Sequence, residues 1–214
     1  GEIKHTLGKG DVGLDIGTST IAISSNTDVK LLILADKVQN IEDEKRRLLR
    51  KMDRSRRATN SENYNEDGTV RKQGSKKVFW NKSNHYVKYQ NQLKELYRKQ
   101  ADVRKYQHEC LANYILFLGN NVYVEQMNFA ELQKKETKTE KNDSGKFKRK
   151  KRFGKSIANR SPAMLMTIIN RKLSYYGLEL IEINTFKAKA SQFNHMTGEY
   201  HKKSLSQRWN DLSG

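Results

Sequence analysis

Apolar and polar residues recur along this chain with two different periods, and the change of period divides it. Between residues 11 and 34 the period is two. Val12, Leu14 and Ile16 alternate with Gly13, Asp15 and Gly17, as the two faces of a strand require. Ile21, Ala22 and Ile23 follow, then a turn at Asn26-Thr27-Asp28, then an apolar, β-rich run over 29–34. The pattern predicts a meander of three strands.

From 41 to 118 the period becomes helical. A first helix, about 41–57, carries Leu48, Leu49 and Met52 on one side. Arg46, Arg47, Arg50, Lys51, Arg54, Arg56 and Arg57 crowd the remaining surface. Residues 59–76 hold Asn60, Asn63, Asn65, Asp67, Gly68 and Gly74, which predicts a loop. A second, long helix over about 81–118 repeats Tyr89, Leu93, Leu96, Val103, Cys110, Tyr114 and Phe117, with Gln100 and Gln107 filling two places in the stripe. Such a hairpin packs on itself and on the sheet, and Cys110 is assigned to its apolar face.

The remainder predicts a strand at 121–126 that ends near Glu125, and a charged loop over 133–156. A helix follows, with Ser161 as its cap and Pro162 at its first position. It carries Leu165, Ile168, Ile169, Leu173 and Tyr176, and Gly177 stops it. Leu178, Leu180, Ile181 and Ile183 then form a fifth strand. Strand, helix, strand is a right-handed crossover, which makes strands four and five parallel.

Three strands, a helical hairpin, then strand–helix–strand is an α/β layout of the ribonuclease-H-like kind: a mixed sheet with the hairpin inserted between strands three and four. The expected division is 1–40 for the first part, 41–120 for the basic helical insertion, and 121–214 for the second part with its basic loop. In this layout strands one and four are neighbours, so Asp15 and Glu125 face each other across the sheet end. A carboxylate on an apolar strand is costly to keep dry unless it holds a cation or a hydrogen bond. Two such acids can hold magnesium, a hard cation that takes oxygen ligands, as metal-dependent phosphodiesterases do.

Charge narrows the partner. The chain has 42 basic and 24 acidic side chains among 214 residues, a formal net charge of +18. Self-repulsion of that size opposes compaction, and binding a polyanion relieves it by releasing counterions. The arginines of the first helix, with Lys148, Arg149, Lys150, Lys151 and Arg152 in the loop, are the candidate nucleic-acid contacts. No apolar run is long enough to span a bilayer, so no membrane partner is expected. The single Cys110 excludes an internal disulfide framework and a Cys-x-x-Cys zinc site, and fits a reducing cytoplasm.

Several stretches also resemble a known family. Gly13-Leu14-Asp15-Ile16-Gly17 resembles the first RuvC motif of transposon-encoded TnpB proteins, and Val122-Tyr123-Val124-Glu125-Gln126-Met127-Asn128 their second. The basic run Arg46 to Arg57 resembles the helix that follows the first motif. Residues 163–183 and Thr185-Phe186-Lys187-Ala188-Lys189-Ala190-Ser191-Gln192 resemble the stretch after the second. The resemblance spans about 11 to 212. It implies a RuvC-like domain of an RNA-guided DNA endonuclease related to type V CRISPR effectors. Guide RNA and target DNA would be its partners, and Asp15 and Glu125 its catalytic residues and its ligands for magnesium or manganese. The setting would be a prokaryotic cytoplasm, at the nucleoid.

The chain departs from that pattern in three ways. Asn194-His195-Met196-Thr197-Gly198-Glu199-Tyr200-His201 stands where the family has a cysteine zinc ribbon, so no zinc is expected. No third RuvC motif is matched; Asp211 precedes no apolar strand or helix, and the third acid is expected beyond Gly214. The family's N-terminal region for binding the guide and the target-adjacent motif is also missing. The expectation is therefore a fragment or decayed copy that binds nucleic acid, is inactive alone and can dimerise. The alternatives are a nuclease-inactive RNA-guided DNA-binding protein, or an ATP-binding domain of the actin and sugar-kinase type, which would use Asp15-Ile16-Gly17-Thr18-Ser19-Thr20 as its phosphate turn.

Overall fold

The computed structural model describes residues 5–71, 74, 77–134, 141–145 and 153–184, and the backbone of 193–194 and 199–200. The meander is present: β1 (Asp11–Ile16), β2 (Thr20–Ser25) and β3 (Val29–Ile33) pair antiparallel in sequence order. The β2–β3 turn closes through Ser25, whose amide donates to the Asp28 carbonyl at 2.9 Å. Two helices follow, α1 (Val38–Thr59) and α2 (Asn84–Leu118), each longer or shorter than expected by a few residues. Ser83 caps α2 by accepting the Tyr86 amide at 3.1 Å.

The second part contains β4 (Asn121–Glu125), α3 (Phe129–Gln133), α4 (Gly154–Arg160), α5 (Pro162–Ser174) and β5 (Ile181–Ile183). Strand β4 enters beside β1 in parallel, and β5 joins β4 in parallel. The sheet order is β3-β2-β1-β4-β5, a mixed α/β sheet with the hairpin between its third and fourth strands. A backbone ladder, β6 (Phe193–Asn194) with β7 (Glu199–Tyr200), lies apart from it in sequence.

Some expectations need correction. The 133–156 loop is shortened by α4, which begins at Gly154, and α3 precedes it. Ser161 caps nothing: its side chain makes no cap hydrogen bond and its backbone is left-handed at φ 50°, forming the joint between α4 and α5. Helix α5 ends with Gly177 at φ +70°, where Gly177 N donates to Ser174 O and Leu178 N to Leu173 O. This is the Schellman pairing. It ties down Leu178, so the fifth strand starts only at Ile181.

One face of the sheet is buried. Val12, Leu14, Ile16, Ile21, Ile23, Val122 and Val124 pack under Ala112, Ile115 and Leu116 of α2 and Leu165, Ile169 and Leu173 of α5. Each fully buried Val, Leu or Ile among them is worth about 1.5–3 kcal/mol. A second cluster holds the hairpin together: Ile41, Leu48 and Met52 of α1 against Leu93 and Leu96 of α2. Cys110 is exposed, and so is Phe117, against expectation. The expected stripe repeats every 3.5 residues. A straight helix turns once per 3.6, so the stripe drifts about 20° per heptad. The buried positions accordingly slide to His108, Ala112 and Ile115.

Candidate metal and nucleic-acid site

Asp15 lies on β1 between Leu14 and Ile16, both core residues, so alternation turns it to the other face. Glu125 ends β4 beyond Val124 and faces the same way. The parallel register runs Val12↔Val122, Gly13↔Tyr123 and Leu14↔Val124. Asp15 and Glu125 are the next step of that register, on hydrogen-bonded strands about 4.8 Å apart. The two acids therefore share one end and one face of the sheet, at the C-terminal ends of two parallel strands.

Their setting differs from the expected one in a single respect. Asp15 is exposed and Glu125 half-buried, so the acids are not dried by the core. On that face of β1, Asp11, Gly13 and Asp15 are all exposed. Beside them, Gly17 N donates to Thr20 O at 2.9 Å in the turn after β1, and Ser156 of α4 donates to Thr18 O at 3.0 Å. Helix α4 is thus docked on the loop that leaves Asp15. Two carboxylates offer the oxygen donors that magnesium or manganese prefers. Among the described residues no three acids, histidines or cysteines cluster as a larger metal set.

The arginines of α1 occupy the face opposite its buried stripe. At 3.6 residues per turn, Arg46, Arg47, Arg50, Arg54 and Arg57 fan over about 100°, while Ile41, Lys45, Leu48 and Met52 face α2. Arg46, Arg47, Arg50, Lys51, Arg54 and Arg57 are exposed. Part of this stripe has acidic partners within its own helix. Arg46 lies 3.7 Å from Asp43, and Asp53 takes Arg56 at 2.8 Å and Arg57 at 2.9 Å. Arg57 and Arg56 hold the Asp53 carboxyl below its ordinary value. Arg47, Arg50 and Arg54 form no ion pair among the described residues. Lys148, Arg149, Lys150, Lys151 and Arg152 lie outside the described residues.

The chain matches no protein-family model and no curated protein.

Sequence reasoning missed the buried polar layer that positions this surface. Lys45 is nearly buried between the helices, donating to Glu42 at 3.0 Å and Gln100 at 2.9 Å, with its Nζ 4.0 Å from the Tyr97 ring centre. The Glu42 carboxylate also reaches Lys155 of α4 at 2.9 Å. Burial pushes the Glu42 carboxyl up, but Lys155 and Lys45 outweigh it and hold the group below its ordinary value. The available signal was Gln100 in the apolar stripe of α2, between Leu96 and Val103. A second anchor is His108, fully buried, whose Nε2 lies 2.7 Å from the Arg160 carbonyl. Arg160 in turn donates to the Leu34 carbonyl.

Met127, Phe129, Met166, Asn170, Glu179 and Glu182 line an open cleft of about 630 Å³. No helix of the described residues is long and apolar enough to cross a membrane.

Proposed function

We propose that this chain is the RuvC-like, ribonuclease-H-like domain of a metal-dependent DNA endonuclease of the RNA-guided TnpB kind. The observation that carries the reading is the placement of Asp15 and Glu125. They lie on adjacent parallel strands, one step beyond the Leu14↔Val124 pair, on the same open face. The sequence resemblance that assigned these two acids made no use of their register.

In this reading Asp15 and Glu125 would hold magnesium or manganese, which when bound lowers the pKa of a coordinated water and neutralises charge on the leaving oxygen. The chain's own residues orient and bind. The β1–β4 pairing keeps the two carboxylates in step. The α1 stripe, with Arg47, Arg50 and Arg54 exposed, supplies phosphate contacts for guide RNA or target DNA. Their number also suits the formal charge of +18. Solvent exposure of Asp15 suits an acid that must meet a polyanionic substrate from outside the core.

The test is DNA cleavage in millimolar magnesium or manganese by the protein made from the complete reading frame that carries these residues, with its copurifying RNA. Asp15→Ala and Glu125→Gln should each abolish cutting and leave RNA binding nearly unchanged. Cutting that survives either substitution refutes the assignment.

A further inference from the structure

The far end of the helical hairpin carries an aromatic group, Tyr64, Phe79 and Trp80, of which the α1 arginines cover Tyr64 and Trp80 but not Phe79. Two asparagines build it. Asn60 has no solvent exposure and Asn63 only 5%. Asn60 Nδ2 donates to the Asn81 carbonyl at 3.0 Å, and the Asn81 amide donates to Asn60 Oδ1 at 2.7 Å. Asn63 Nδ2 donates to the Phe79 carbonyl at 2.7 Å. The backbone of 79–81 is thus clamped in one orientation.

That clamp sorts the two neighbouring aromatics. Trp80 turns inward, its ring 5.6 Å from Tyr64 and 5.1 Å below the Arg56 guanidinium, and Arg57 covers Tyr64 at 4.8 Å. Phe79 is turned outward and is 79% exposed. A large apolar ring this exposed, on a backbone fixed through the Phe79 carbonyl, contributes little to the hairpin's own packing. Exposed Arg71, Lys77 and Lys82 flank it along the chain, against exposed Glu62 and Glu66 and an Asp67 that is engaged by Thr69.

We propose that Phe79 is a stacking platform for an unpaired base of single-stranded nucleic acid, with Arg71, Lys77 and Lys82 contacting the neighbouring phosphates. The proposal rests on the nucleic-acid reading above and adds the strandedness of the ligand at this end. A flat ring beside cations suits single strands, because every base offers a π-face while the backbone offers charge. It does not suit duplex, whose bases are already stacked.

The test uses the full chain, a short labelled single-stranded RNA of mixed sequence, and an abasic strand of the same length, read by fluorescence anisotropy. Phe79→Ala should weaken binding of the base-bearing strand by about 5- to 150-fold, the loss that removing one base–aromatic stack produces. It should leave the abasic strand, the slope of log affinity against log salt, and the melting temperature unchanged. Phe79→Trp should retain binding. Equal affinity of Phe79→Ala and wild type for the base-bearing strand overturns the platform and leaves the nuclease reading standing. So does an equal loss on both strands. Failure of the wild-type chain to bind either strand overturns the nucleic-acid reading itself, and the platform with it.

Discussion

Removing the Glu42 carboxylate should cost far more than removing the whole polar layer around it. Lys45 and Glu42 have side chains only 7% and 11% exposed, with Nζ and Oε2 3.0 Å apart. In Glu42→Ala the Lys45 ammonium keeps only the Gln100 carbonyl and the Tyr97 ring. Breaking a buried pair by deleting one partner costs about 3–5 kcal/mol. The surviving Gln100 contact and the slight exposure place this site at about 2–4 kcal/mol, a large share of a typical 5–15. Glu42→Leu/Lys45→Met/Gln100→Leu fills similar volume without charge and should lie within about 1 kcal/mol of wild type. Urea unfolding followed by far-UV circular dichroism and tryptophan fluorescence gives both values, provided the slope is unchanged. A single substitution that costs under about 1 kcal/mol, or a triple variant as unstable as the single, refutes the claim that a buried charge sits at this point.

The same logic yields further expectations. Replacing Arg47 and Arg50 with Gln should flatten the slope of log affinity against log salt by roughly two, since each phosphate contact contributes about 0.9; an unchanged slope means the stripe does not touch phosphate. Burial holds the His108 ring below its ordinary value, and among the described residues His108 Nδ1 has no partner to receive a second proton's bond. Above pH about 6.5 both states are neutral; below it the unfolded chain takes up a proton that the folded one resists. Stability should therefore fall as pH drops from about 7 to 5, and His108→Leu should remove that part of the fall; an identical pH profile would show that another group is responsible. A methyl on Gly119 would sit 2.5 Å from the Gly10 carbonyl oxygen and 2.8 Å from Val12. Gly119→Ala should cost about 1–3 kcal/mol by thermal melting, and no loss would show that β1 can yield there.

Much of this architecture was legible because it rests on local rules. The alternation of Val12, Leu14 and Ile16 announces β1 and puts Asp15 on the other face. Pro162 and Gly177 bracket α5 closely. What escaped depends on partners distant in sequence. Lys45 looks like one more solvated cation until Gln100, on the next helix, closes over it. Ser161 has the right residue type for a cap, but the α4–α5 joint requires a left-handed residue there, and that geometry overrides the cap. The site followed the same division. The shared face of Asp15 and Glu125 follows from period two and one parallel pairing, whereas the ion pairs of Arg46, Arg56 and Arg57 come from Asp43 and Asp53 within their own helix. Those acids stand at i±3 and i±4 spacing from the arginines, where a helix brings opposite charges together.

Helix α2 has 35 residues and is therefore about 52 Å long. Its first half belongs to the hairpin cluster and its second half to the sheet core, with no break between. It is a lever with its fulcrum in the sheet. The arm from Ala112, in the sheet core, back to Asn84 is about 42 Å, so a tilt of about 10° at the core end carries the tip through about 7 Å. Force applied where α1 begins and α2 ends is small in leverage; force applied at Phe79 and Trp80 is large. The mechanical coupling runs through Ala112, Ile115 and Leu116, which lie on the sheet that bears Asp15 and Glu125. A load taken up at the tip of the hairpin is thus delivered, as torque, to the strands that hold the two acids in step.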